Sequence, residues 1–151
     1  MRHILCFGNP LHGDDGFGPA VYRKLAAQKL PSDVRLFDAG TPGLAALSLF
    51  QDCCEAIIVD AVASGGVPGE VSWLAPETTV PEPALIGHGI GVGYLLQAVA
   101  ALPECPPRIR IVAAEIARST PFSPGLSEPV RQAVDAAFLL LKNHVEQTPY
   151  R

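Results

Sequence analysis

Asp14, Asp15, Asp38, Asp60, His88 and Glu115 are the residues of this 151-residue sequence whose side chains could together bind a cation or move a proton. Their positions single them out. Asp14 and Asp15 sit in "GDDGFG", shortly after the apolar run 3–7. Asp38 ends the run 33–38, Asp60 falls near the end of 55–62, and Glu115 closes 108–115. His88 stands in "GHGIG", just ahead of a helical pattern. Carboxylate oxygens and an imidazole nitrogen, as Asp15, Asp60 and His88 would offer, suit nickel, zinc or iron. Three protein ligands with coordination positions left open describe a catalytic or transfer site rather than a closed structural one.

Taken one at a time, these residues have simpler uses. An aspartate after a strand is often a helix cap or a turn former, and Asp14 is placed to cap the helix that follows it. A histidine between glycines is often just exposed, and His3, His12 and His144 carry no functional reading. Taken together, the set resists that account. Several carboxylates on one rim repel each other, and a cation or a cationic substrate would offset the repulsion.

Other chemistries fit less well. "GDDGFG" departs from the dinucleotide fingerprint GxGxxG, and its two acids stand where pyrophosphate would sit. The sequence has neither the GK[ST] of a Walker loop nor the GxSxG of a serine hydrolase. Cys6, Cys53, Cys54 and Cys105 show no CxxC spacing, and three of them lie in or beside apolar segments. That predicts buried free thiols in a reducing compartment, with pKa values too high for a nucleophile.

The elements that must position these residues follow from hydrophobic pattern. The runs 3–7, 33–38, 55–62, 69–74 and 108–115 are near-continuously apolar or β-branched, as in strands covered on both faces. Helical patterns lie between most of them, at 19–28, 44–50, 91–102 and 127–144. Ser127, Glu128 and Pro129 form a good start for the last. The alternation predicts a three-layer α/β/α fold around a twisted, mostly parallel five-stranded sheet. The run 69–74 follows its predecessor too closely for a helical crossover, so it is expected as that strand's antiparallel hairpin partner. In such sheets the ligand crevice lies beyond the carboxyl ends of the strands, where the acids collect. The proline-rich stretches 75–87 and 117–126 read as surface loops, with Phe122 and Leu126 as packing residues rather than substrate contacts, though the "PGLS" turn could border the cleft.

With 48% hydrophobic and 17% charged residues, the chain reads as one globular domain over 1–151. A net charge of −4 argues against nucleic acid as the main partner. No apolar run approaches the roughly 20 residues of a membrane helix, and "MRHILCF" is too short for a signal peptide. A cytoplasmic protein with no membrane partner is therefore expected.

Five blocks, "GNPLHGDDGFGPAV" (8–21), "DAGTPG" (38–43), "IIVDAV" (57–62), "GHGIGV" (87–92) and "FSPGLSEPV" (122–130), are similar in kind and order to those of the hydrogenase maturation endopeptidases. These process the large subunit of nickel–iron hydrogenases. The resemblance spans nearly the whole chain. It implies a protease that removes a C-terminal peptide from the nickel-loaded large-subunit precursor, with the nickel supplied by that substrate. By the same resemblance Asp15, Asp60 and His88 contact the metal, while Asp38 and the Gly40–Thr41 pair shape the cleft and contact substrate. An aspartyl-type reaction then has two routes, a metal-polarised water or a carboxylate such as Asp38 acting as general base. A monomer is expected. A non-catalytic nickel-sensing chaperone and a small-substrate metallohydrolase remain as alternatives.

Overall fold

The computed structural model describes residues 1–41, 43–76, 92–117 and 122–148, apart from the side chain of Tyr94. Five strands form one sheet: β1 (Arg2–Phe7), β2 (Val34–Gly40), β3 (Glu55–Val62), β4 (Val71–Leu74) and β5 (Arg108–Glu115), in the order β2-β1-β3-β5-β4. β1 pairs parallel with β2 and β3, and β3 pairs parallel with β5. Among the described residues the helices are α1 (Phe17–Ala26), α2 (Val92–Ala100) and α3 (Glu128–Gln147), with 3-10 turns at Gly13–Gly16 and Leu44–Phe50. The three-layer expectation holds.

Strand position follows composition. All residues of β1 and of β3 are buried, so each must be covered on both faces and flanked on both edges. Alternation divides their side chains between two cores. Ile4, Cys6, Ile57 and Val59 pack with Val21 and Leu25 of α1 and Val134 and Leu141 of α3. Leu5, Phe7, Ala56 and Ile58 pack on the opposite face with Ala46, Phe50 and Leu95. Burying these side chains contributes about 1.5–3 kcal/mol for each large apolar group.

The fourth strand corrects one expectation. β4 is antiparallel, but its partner is β5, with Val71 opposite Ala114 and Leu74 opposite Ile111. It cannot pair with β3, whose edges are taken by β1 and by an eight-residue register with β5 running from Glu55–Arg108 to Val62–Glu115. A short, partly exposed strand suits the sheet edge. The 44–50 pattern is helical as expected, though of the tighter 3-10 form. Residues 77–87 and 118–121 of the proline-rich stretches lie outside the described residues, as does His88, whereas Phe122–Gly125 is exposed.

Strand order also locates the crevice. The chain leaves β1 through α1 on one face to reach β2, and reaches β5 from β3 by way of α2 on the other. Ligands in open α/β sheets bind where the connections diverge in this way, here beyond the carboxyl ends of β1 and β3.

α1 begins unusually close to β1. A Cβ on Gly18 would lie 1.9 Å from the Phe7 carbonyl oxygen, and one on Gly8 would lie 2.1 Å from the Asp15 carbonyl oxygen. Gly8 also has φ +142°. The loop between β1 and α1 is thus pressed backbone to backbone against the sheet end. Gly18→Ala should destabilise the protein by about 1–3 kcal/mol or prevent folding, measured by urea denaturation. Wild-type stability in this variant would refute the close approach.

Candidate active site

Asp15 and Asp60 meet at the crevice between β1 and β3. Asp15 lies in the 3-10 turn that joins β1 to α1 and is buried. Its Oδ2 accepts a hydrogen bond from the Asn9 N–H at 3.0 Å. Asp60, near the end of β3, is buried as well, and its Oδ1 accepts the Ala61 N–H at 2.8 Å. Burial, and after it the charge of Asp15, holds the Asp60 carboxyl well above the ordinary carboxylate range, with the Ala61 hydrogen bond opposing. The pair therefore favours holding a proton on Asp60, because burial and the neighbouring charge both oppose its ionisation.

Asp38 stands apart from this pair. It is exposed at the carboxyl end of β2, opposite Cys6 in the register. Alternation groups it with Val34 and Leu36, on the face opposite Ile58 and Val62. The buried Cys6 thiol feels both acids: burial, then Asp38, then Asp60 push its pKa far up, so it is no nucleophile. Gly40, at φ +66°, turns the chain away from β2 while its carbonyl accepts the Gly8 N–H at 2.9 Å, and Thr41 beyond it is exposed. Gly40 thus ties the β2 end to the loop that leads to Asp15. With His88 outside the described residues, no three metal-ligating side chains converge among those described. The buried-thiol expectation holds for Cys6 only; Cys53 and Cys54 are half-buried and Cys105 is exposed, all four being free.

Asp14 does not do what its position suggested. α1 starts from Gly16 with no side-chain cap. Asp14 instead reaches α3, its Oδ1 accepting the Ser127 N–H and its Oδ2 the Ser127 hydroxyl, both at 2.7 Å. Ser127 is the N-cap residue of α3, so one carboxylate fastens the last helix to the Asp15 turn. Leu126 packs as expected, against the main core and near Gly16. Phe122 does not, being exposed.

Glu115 is more engaged than its sequence position indicated. Its Oε1 accepts the Ser64 and Gly66 N–H groups at 2.7 and 3.0 Å, and its Oε2 accepts the Ser64 hydroxyl at 2.6 Å. It thereby shapes the loop just beyond Asp60. Ser64-Gly65-Gly66 has the residue types of a turn, but only the Val62–Glu115 register puts an acid there to hold it.

The family is decided by comparison with known proteins. The model of the hydrogenase maturation protease family, HycI, matches residues 19–144. The chain belongs to the hydrogenase maturation protease family. A protein of Methanocaldococcus jannaschii carrying the same family name is 28% identical over 95% of this chain and 96% of its own length. The hydrogenase expression/formation protein HupD of Rhodobacter capsulatus is 28% identical over 89% of this chain, which spans 66% of HupD. Among solved structures, the hydrogenase 2 maturation peptidase of a Thaumarchaeota archaeon superposes at TM-score 0.71 with 28% identity, covering 97% of this chain and 99% of the other. The Escherichia coli hydrogenase maturating endopeptidase HybD shares the fold at TM-score 0.82, with 24% identity over 98% of this chain and 93% of HybD. The family is one of endopeptidases, so this member is a hydrolase.

Two predictions follow from the two aspartates. A carboxyl whose native pKa is raised stabilises the fold at low pH and loses that contribution as pH rises through the native value. Asp60→Asn should therefore melt higher than wild type at pH 8, by about 2–4 °C per kcal/mol recovered, with the gap closing toward pH 4. A gap that stays constant or widens on acidification would refute the raised pKa. Asp14→Ala should cost about 1 kcal/mol, and the penalty should shrink in a Ser127→Ala background, as a double-mutant cycle by denaturant titration would show.

Proposed function

We propose that this protease removes a C-terminal peptide from the large-subunit precursor of a nickel–iron hydrogenase, acting on the nickel-loaded form. The observation that carries this reading is the pair of buried carboxylates, Asp15 and Asp60, beside each other at the crevice between β1 and β3. Nickel belongs to the substrate, held by the precursor's own ligands. Asp15 and Asp60, with His88 as the third group, fill its vacant positions. A precursor without metal lacks the positive charge that offsets the two acids, so metal occupancy acts as a checkpoint before cleavage.

The rest of the rim serves the peptide. Gly40 and Thr41 border the cleft, and Asp38 at the exposed end of β2 is the carboxylate available to activate water as an aspartyl-type general base. The alternative water, polarised by the substrate's metal, needs only the Asp15–Asp60 side of the crevice. Asp38→Asn separates the two routes: general-base catalysis predicts a loss of about 100-fold or more in turnover, whereas the metal route predicts little change. The free state of all four cysteines fits action in the reducing cytoplasm, where the protein works as a monomer. Among the described residues no helix is long and apolar enough to cross a membrane.

Incubation of the purified protein with nickel-loaded precursor, followed by intact mass measurement, tests the reading. Loss of a C-terminal peptide from the loaded precursor, and none from the metal-free one, is expected. Asp60→Asn and His88→Ala should each abolish the mass change while keeping a cooperative unfolding transition. Wild-type processing by both variants, or tight binding with no mass change, would overturn the assignment.

A further inference from the structure

Phe122 is 86% exposed, and its backbone sits at φ +56°. Both features are unfavourable in an isolated protein. A phenyl ring in water forgoes burial, and bulky residues rarely take the left-handed region. Asp52, the other non-glycine residue at positive φ among those described, is of a type that tolerates it. Strained backbone persists where surrounding contacts over-determine it, and such sites gather around function.

Those contacts are visible, and they lead to Asp15. Ser123, next to Phe122, accepts the Gly13 N–H at 2.8 Å and pairs with His12 in an isolated parallel bridge. Ser127, a few residues on, is fastened to Asp14. The His12 ring meets the Phe122 ring edge-on, with centroids 5.6 Å apart. Leu11, which precedes His12 in the chain, is 56% exposed, its N–H bound to the Asn9 Oδ1 at 2.9 Å. Asn9 in turn donates its N–H to Asp15. Ser123 and Ser127 are thus bonded to the Asp15 turn, while the Phe122 ring is left in solvent.

We propose that Phe122, together with the exposed Leu11 of the turn bearing His12, is a docking contact for an apolar segment of the hydrogenase precursor beside its cleavage site. This rests on the reading above that the precursor is the substrate. The surface is continuous with the turn bearing Asp15, so a chain entering the crevice passes next to it. A ring whose neighbouring backbone is already bonded to the Asp15 turn spends less conformational freedom on binding than one on an untethered chain. Apolar contact complements the charge-reading acids, because it adds affinity that does not depend on the metal. Phe122 touches no reacting atom, so its contribution falls on binding rather than on the chemical step.

Phe122→Gly removes the ring and suits the positive φ. The probe is purified nickel-loaded precursor, with affinity measured by surface plasmon resonance and cleavage by mass. Expected are a Kd and a KM raised by about tenfold, a much smaller change in kcat, and a melting temperature at or above wild type. Phe122→Tyr should restore most of the affinity. Wild-type affinity and KM in Phe122→Gly, with wild-type protein binding and cleaving normally, would overturn this proposal alone. If wild-type protein neither binds nor cleaves the precursor, the substrate reading falls and takes this one with it. Loss of self-association in sedimentation, with precursor affinity unchanged, would give the surface to a second copy of the chain and also overturn it.

Discussion

Two carboxylates buried against each other oppose folding, because each is removed from water and each is closer to a like charge than water would allow. Asp15 and Asp60 are in this position, and burial together with the charge of Asp15 holds the Asp60 carboxyl above its ordinary range. A proton retained on Asp60 relieves the repulsion, as the raised pKa indicates, and a bound positive charge would do the same. The arrangement also requires a scaffold stiff enough that repulsion cannot be relieved by moving either acid away. Much of the rest of the molecule can be understood as that scaffold.

Asp60 is carried by a fully buried strand, flanked by parallel partners on both edges, so it cannot retreat. Asp15 is carried by a turn rather than a strand, and a turn needs other restraints. Gly8 and Gly18 let backbone lie directly on backbone on either side of it. The Asn9 N–H binds its carboxylate, and the Asp14–Ser127 bonds lock the turn to the start of α3. Adjacent aspartates thus divide their roles in a way set by geometry: one faces the crevice, and the other holds the turn that aims it. Glu115 does comparable service for the loop beyond Asp60.

Much of this was legible in the amino-acid order because it is local. Runs such as "EAIIVDAV" can be stable only as strands covered on both faces, and the five strand positions follow from them. The rim was legible too, because strand ends place Asp38, Asp60 and Glu115 without knowledge of pairing. The misreadings concern partners. β4 was expected beside its neighbour in sequence, yet an edge of β3 long and apolar enough for an eight-residue register went to β5. Asp14 was expected to cap the nearest helix, yet its hydrogen bonds reach across 113 positions to Ser127. Phe122 was expected to pack rather than stand free, a reading from hydrophobicity that says nothing of a left-handed backbone holding a ring outward.

The sequence by itself determined the element types, the mostly parallel sheet and the concentration of acids at its carboxyl edge, since each depends on side-chain polarity and spacing along a few consecutive residues. Only the tertiary structure decided that Asp15 and Asp60 face each other while Asp38 lies exposed on another strand, and that Asp14 belongs to the last helix. Strand order and register bring together residues far apart in the chain, and they are settled by competition among all the buried surfaces at once. No local pattern records the outcome of that competition.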